Sequence, residues 1–151
     1  MGIVDWSEKY TVNDKEMDEH HQRLFAIVND LHKAILGKKG KKEIRPIIDR
    51  LIEHTKSHFA AEERLMVVCT YPHFQHHKEE HERLLRQVGE LDEDLRKIGY
   101  LAECDVFAFL IKEWLIEHIL KDDKAYAPYL AKHHAARSAK TPPASRQIHA
   151  S

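Results

Sequence analysis

Five histidines and two carboxylates fall on the inward stripes of four predicted helices. The carriers are His21, His58 with Glu62, His77 with His81, and His118 with Asp123 or Asp122. A bundle core should be apolar, and burying charged groups without partners costs roughly several kcal/mol apiece. Metal coordination satisfies all of them together, because imidazole and carboxylate are good ligands for iron, manganese or zinc.

The stripes follow steps of three and four. The first runs from about Met17 to Leu36 through Met17, His21, Leu24, Val28, Leu31 and Ile35. Gly37-Lys38-Lys39-Gly40 then carries a C-cap signal. The second spans about Lys41 to Val68 through Ile44, Ile47 or Ile48, Leu51, Thr55, His58, Glu62 and Leu65. Thr70-Tyr71-Pro72 marks the next turn, with Thr70 placed to cap. The third runs from about His73 to Ile98 through Phe74, His77, His81, Leu84, Val88, Leu91, Leu95 and Ile98. The fourth covers about Ala102 to Lys121, with Phe107, Leu110 or Ile111, Trp114 and His118 inward.

No segment has a β signal of any weight. Amphipathic helices joined by short loops predict an all-α fold, an antiparallel up-down-up-down four-helix bundle. Residues 1–16 read as an irregular N-terminal arm that Trp6, Tyr10 and Val12 could pack across the bundle. A short piece from Ala125 to Leu130 closes the domain at about residue 131. Residues 132–151, rich in Ala, Ser, Lys and Pro, read as a disordered tail.

Charge narrows the function. With 24 basic and 25 acidic residues, no net basic field points to nucleic acid. No run reaches the length of a membrane span, and the N-terminus lacks a basic start followed by an apolar stretch. A cytoplasmic location follows by default. Cys69 and Cys104 have no C-x-x-C spacing and read as free, partly buried thiols. The 13 histidines are the compositional anomaly.

Residues four apart on a helix share a face, so His58/Glu62 and His77/His81 each aim two ligand atoms at one region. His21 lies early in its helix, His58 late, His77 early and His118 late. Antiparallel packing therefore brings all four helices' ligands to one end of the bundle. The partner of His118 stays open on geometry. Asp122 is the i+4 residue on the same side, whereas Asp123 is i+5 and about 140° round an ideal helix.

The segments Met17-Asp18-Glu19-His20-His21-Gln22-Arg23-Leu24-Phe25, His58-Phe59-Ala60-Ala61-Glu62-Glu63-Arg64-Leu65-Met66, Tyr71-Pro72 with His77-Lys78-Glu79-Glu80-His81, and Trp114-Leu115-Ile116-Glu117-His118-Ile119-Leu120-Lys121-Asp122-Asp123 resemble the hemerythrins, above all the single-domain bacterial kind. The resemblance covers about residues 3–131 in order and spacing.

It implies a non-haem di-iron centre that binds O2 reversibly. His77, His81 and His118 would hold one iron, and His21 and His58 the other. Glu62 and an Asp after His118 would bridge them beside an oxo or hydroxo group; the family spacing favours Asp123. Leu24, Phe25, Trp114 and Leu120 are candidates for an apolar O2 pocket. The implied role is oxygen carriage, storage or delivery to an oxidase or oxygenase by a monomer, without enzyme activity. The rivals are a di-iron enzyme acting on peroxide or NO, and an oxygen- or iron-sensing module. Ferritin-like di-iron enzymes draw mainly on carboxylates, and the ratio of five imidazoles to two carboxylates here is the reverse. His32, His54, His73, His133, His134 and His149 read as ordinary surface or hydrogen-bonded residues. For His54 the solvent-facing reading is favoured over a role behind a ligand.

Overall fold

The computed structural model describes residues 3–98 and 112–140. Helix α1 spans Lys15–Leu36, α2 Lys41–Val68 and α3 Phe74–Ile98. Residues 112–117 form the described part of α4. A π-helical turn, His118–Asp123, joins α4 directly to α5, Lys124–Lys140. There is no strand among the described residues. The expected Phe107, Leu110 and Ile111 of the fourth helix, together with Cys104, lie outside the described residues, as do residues 141–151.

Local chemistry sets the helix ends. Asp14 caps α1 by accepting the Met17 N–H at 3.0 Å. Helices α1 and α2 both stop in a Schellman motif. In α1 the Lys39 N–H reaches the Ala34 carbonyl and the Lys38 N–H the Ile35 carbonyl, each at 3.0 Å. In α2 the Tyr71 N–H reaches Met66 at 3.0 Å and the Thr70 N–H reaches Val67 at 3.2 Å. The left-handed positions are Lys38 (φ 53°) and Thr70 (φ 52°), with no glycine at either. Gly37 has an ordinary negative φ, and Thr70 turns its hydroxyl back to the Cys69 carbonyl instead of capping α3.

Packing forms two apolar clusters with a polar layer between them. The larger joins Leu24, Val28 and Leu31 of α1 to Ile44, Ile48 and Leu51 of α2, Val88 of α3, and Leu115 and Ile119. Each fully buried side chain of this kind contributes about 1.5–3 kcal/mol. The smaller cluster gathers Val12, Met17, Met66, Tyr71, Tyr126, Ala127 and Leu130. Along α1, His21 falls between Met17 and Leu24; along α2, His58 and Glu62 fall between Leu51 and Met66. Among the described residues the expected stripe positions are buried or, at Ile35, Phe74 and Trp114, partly buried; in α2 Met66 is buried and Leu65 only partly so, and the side chains of Leu91, Leu95 and Ile98 lie outside what is described.

The N-terminal arm crosses the bundle as expected. Asn29 grips Val4 from both sides, accepting its N–H at 3.0 Å and donating to its carbonyl at 2.7 Å. Trp6, Tyr10 and Phe25 form an aromatic cluster, and Val12 is fully buried. A 3-10 turn, Glu8–Tyr10, interrupts the arm.

The C-terminal reading needs correction. Helix α5 does not end at Leu130 but continues to Lys140, past the point where the sequence reads as tail. Its later residues lack an apolar period because they are exposed, with His134 Nε2 placed 3.1 Å from the Asp14 carboxylate. Alanine-rich composition sustains the helix beyond Leu130, where it no longer buries a face.

Candidate metal centre

All seven candidate ligands converge in the polar layer, each buried. Glu62 and Asp123 stand at the middle and divide their oxygens between two groups of imidazoles. Glu62 Oε1 lies 2.8 Å from His77 Nε2 and 2.9 Å from His81 Nε2. Glu62 Oε2 lies 3.3 Å from His58 Nε2 and 3.6 Å from His21 Nε2. Asp123 Oδ1 lies 3.2 Å from His77 Nε2 and 3.1 Å from His118 Nε2, whereas Oδ2 lies 3.0 Å from His21 Nε2.

Two donor sets result, each with ligand atoms within 4.8 Å of one another. One comprises Glu62, His77, His81, His118 and Asp123; the other comprises His21, His58, Glu62 and Asp123. Many of these atoms have no ordinary hydrogen-bond partner among the described residues. The orphans include both ring nitrogens of His21, the Nε2 atoms of His58, His81 and His118, and both Asp123 oxygens. Buried polar atoms left this way are costly unless a cation claims them. Imidazole nitrogens and carboxylate oxygens around a dry centre suit iron or zinc.

The π turn explains how Asp123 arrives. In an α-helix it would point away from His118, but a turn with i→i+5 spacing brings residues five apart onto one side. Asp122 is thereby displaced outward, where its carboxylate lies 3.0 Å from His118 Nδ1. His118 is held between the two aspartates.

Electrostatics in the metal-free protein follow from this crowding. Burial alone would lower the pKa of His21 and His77, but the Asp123 and Glu62 carboxylates reverse it and raise both to about 9. His118 is raised well above the usual histidine value, because Asp123 and Asp122 outweigh its burial. His58 goes the other way, its burial prevailing over the attraction of Glu62. Burial pushes Glu62 and Asp123 upward, yet the surrounding imidazoles hold both below the usual carboxylate range.

The apolar pocket differs from expectation in two residues. Leu24 and Trp114 line a small cavity, about 10 Å³, together with Leu51, Thr55, Phe59, Leu84, Leu115 and His118. That is room for at most about one water-sized molecule. Phe25 is buried against Trp6 and Tyr10 and does not line it. Leu120 is 40% exposed, and its neighbour Ile119 is fully buried instead. On the widened turn the buried side passes through His118, Ile119 and Asp123, leaving Leu120 and Lys121 outside.

Several neighbours of the centre escaped sequence reasoning. Phe59 stacks on His81 with ring centroids 3.8 Å apart. The Tyr126 hydroxyl donates to Glu62 Oε2 at 3.0 Å. Glu63 Oε2 lies 2.8 Å from His81 Nδ1, and His20 Nδ1 lies 2.9 Å from His58 Nδ1. His54 is partly buried, not solvent-facing: its Nε2 lies 3.3 Å from the His20 carbonyl and its ring meets the His20 ring edge-on. A signal existed for two of these positions, His20 and Glu63, and the same pattern covers Asp122. His20-His21, Glu62-Glu63 and Asp122-Asp123 are doublets in which one member faces the centre and the other backs a histidine. Tyr126 had no such signal.

Comparison with known proteins agrees with the helical-bundle fold and with a cation-binding family. A profile of the hemerythrin HHE cation binding domain matches residues 12–130, and the chain belongs to this family. It is 33% identical over 129 residues to a bacteriohemerythrin of Pseudomonas aeruginosa (strain LESB58), covering 83% of this chain and 80% of that one. It is 32% identical over 136 residues to a bacteriohemerythrin of Methylococcus capsulatus (strain Bath), covering 87% and 99%. The crystal structure of a wild-type hemerythrin superposes with a TM-score of 0.74 at 31% identity, covering 85% of this chain and 98% of that chain. No described helix is long and apolar enough to cross a membrane.

Proposed function

We propose that the chain binds O2 reversibly at a pair of irons held in this layer. The observation that carries the reading is the division of oxygens: each central carboxylate turns one oxygen toward His77 and the other toward His21. His77, His81 and His118 would hold one iron, His21 and His58 the other, with Glu62 and Asp123 shared. When bound, such a pair supplies the electrons for taking up O2 and recovers them on its release. The set with two imidazoles has one protein donor fewer, and that side is where O2 would enter.

The chain's own residues supply the rest. Leu24, Leu51, Leu84 and Leu115 exclude bulk water from the cavity beside His118. Trp114 lines this cavity and also an outer polar cleft of about 360 Å³ formed with His76, Glu80, Arg83, Glu117 and Asp122. With Leu84 and His118, which also line both, it forms the wall between the apolar interior and the outer cleft. Tyr126 and Glu63 hold Glu62 and His81 in place. Five imidazoles against two carboxylates support carriage or storage of O2 over oxidation chemistry, since di-iron oxidation sites draw mainly on carboxylates.

The test joins metal analysis to absorption spectroscopy. Reduced, anaerobic protein with about two irons per chain should develop a visible band in air and lose it when O2 is removed. Immediate irreversible oxidation, or sustained turnover of peroxide or NO, would replace this reading with the enzymatic one.

A further inference from the structure

The groups behind the histidines differ between the two donor sets. In the three-histidine set, His81 Nδ1 faces the Glu63 carboxylate at 2.8 Å and His118 Nδ1 faces the Asp122 carboxylate at 3.0 Å. In the two-histidine set, among the described residues, His58 Nδ1 faces the ring nitrogen of His20 at 2.9 Å and no carboxylate, and His21 Nδ1 is buried with no hydrogen-bond partner.

Such backing matters to a cation. A carboxylate that accepts an imidazole N–H makes a charge-assisted hydrogen bond. It also fixes the tautomer and makes the opposite nitrogen a stronger donor, worth about 10–100-fold in metal affinity. A neutral imidazole is a weaker acceptor. If His58 offers Nε2 to the centre, its Nδ1 carries the proton and His20 Nδ1 accepts it. The remaining His20 nitrogen then carries a proton and points toward Glu16, 3.9 Å away. His54 packs against the His20 ring and keeps it in place.

We propose that the two cation positions are unequal: the position at His77, His81 and His118 fills first and holds its ion, while the position at His21 and His58 is exchangeable and is kept competent by His20. The inference rests on the reading that the two donor sets hold cations. Two independent effects act in the same direction, an extra imidazole and two carboxylate acceptors against none. Glu63, Asp122 and His20 are positioning residues in this scheme, since each acts through a histidine. A chain carrying one ion is then a stage of assembly, and iron supply sets the fraction able to bind O2.

Zinc, being redox-inert, tests this without reference to O2. The full metal-free chain is titrated with Zn2+ in competition with a chromophoric chelator, and release from the loaded protein is followed in time. Two steps separated by at least about tenfold are expected, with biphasic release. His21→Ala should abolish the weak step and retain one zinc per chain. Glu63→Gln and Asp122→Asn should weaken the tight step by about 10–100-fold and leave the weak one within about threefold. His20→Leu should weaken only the weak step, and His20→Gln, whose amide oxygen can accept the same proton, should restore it.

Two equal steps in the unaltered protein would overturn the proposal, as would the absence of zinc binding. So would a His20→Leu effect as large on the tight step as on the weak one. The unaltered chain decides the main point even if a variant fails to fold. Equal positions in a protein that still binds O2 reversibly would sink this inference alone; unequal positions in one that never does would sink the functional reading alone.

Discussion

Asp123 lies five residues after His118, yet its Oδ1 is 3.1 Å from His118 Nε2 because the intervening turn is π-helical. The same turn sets Asp122 behind His118, at Nδ1. The two aspartates therefore have separable roles. Asp123→Asn should reduce bound iron below two per chain and remove the reversible visible band. Asp122→Asn should still take up two irons but release the more tightly held one about 10–100-fold faster. Iron content and release kinetics, compared side by side, check this; identical behaviour of the two variants would contradict it.

Ile119 is fully buried in the larger apolar cluster, and Leu120 beside it is exposed. Ile119→Ala should destabilise the protein by about 2–5 kcal/mol, through lost burial and the cavity left behind. It should also speed oxidation of the reduced, O2-bound protein by admitting water near His118. Leu120→Ala should change stability by no more than about 0.5 kcal/mol and leave the oxidation rate unchanged. Chemical denaturation and the decay of the visible band in air read out both effects.

The metal-free protein should lose stability as the solution turns alkaline. His21 and His77 have folded-state pKa values of about 9, above the usual 6.5, so each contributes stability that is full below 6.5 and fades as pH rises through 9. His118 acts in the same sense. His58, lowered by burial, acts oppositely and contributes stability that fades on acidification. Glu62 and Asp123, both lowered, lose their contribution only in strong acid. His58 acts only below that window, so the three raised histidines leave a net fall in Tm between pH 6.5 and 9. In the metal-loaded protein the cation replaces these protons, so Tm should stay nearly level over that window. Thermal unfolding of both forms at several pH values provides the check, and a Tm of the metal-free form that climbs with pH would refute the assignment.

Thr70 holds φ 52°, a conformation costly for a β-branched residue, at the turn that leads from α2 to α3. Thr70→Gly should relieve this strain and stabilise the fold by about 1 kcal/mol, partly offset by the lost hydroxyl contact to the Cys69 carbonyl. The corresponding rise in Tm is at most about 2–4 °C for a domain of this size. A lower Tm would show that the hydroxyl contact outweighs the backbone strain.

Much of this protein follows from spacing along the chain. Apolar steps of three and four define α1, α2 and α3 to within two residues at either end, because helix period is a local property. The positions of His21, His58, Glu62, His77, His81 and His118 on those stripes already imply a shared buried layer. Tertiary structure decided what no single helix could. Local geometry left Asp122 and Asp123 open, and the π turn resolved them by burying Asp123 at the centre. Which member of His20-His21 or Glu62-Glu63 faces inward depends on the helix opposite: Glu63 serves a histidine of α3, and His20 one of α2. Tyr126 reaches Glu62 from across the bundle, and Phe25 turns to the arm because Trp6 and Tyr10 pack there. Periodicity records which side of a helix is buried, but not what stands across from it; only the assembled helices bring donor and acceptor within bonding distance.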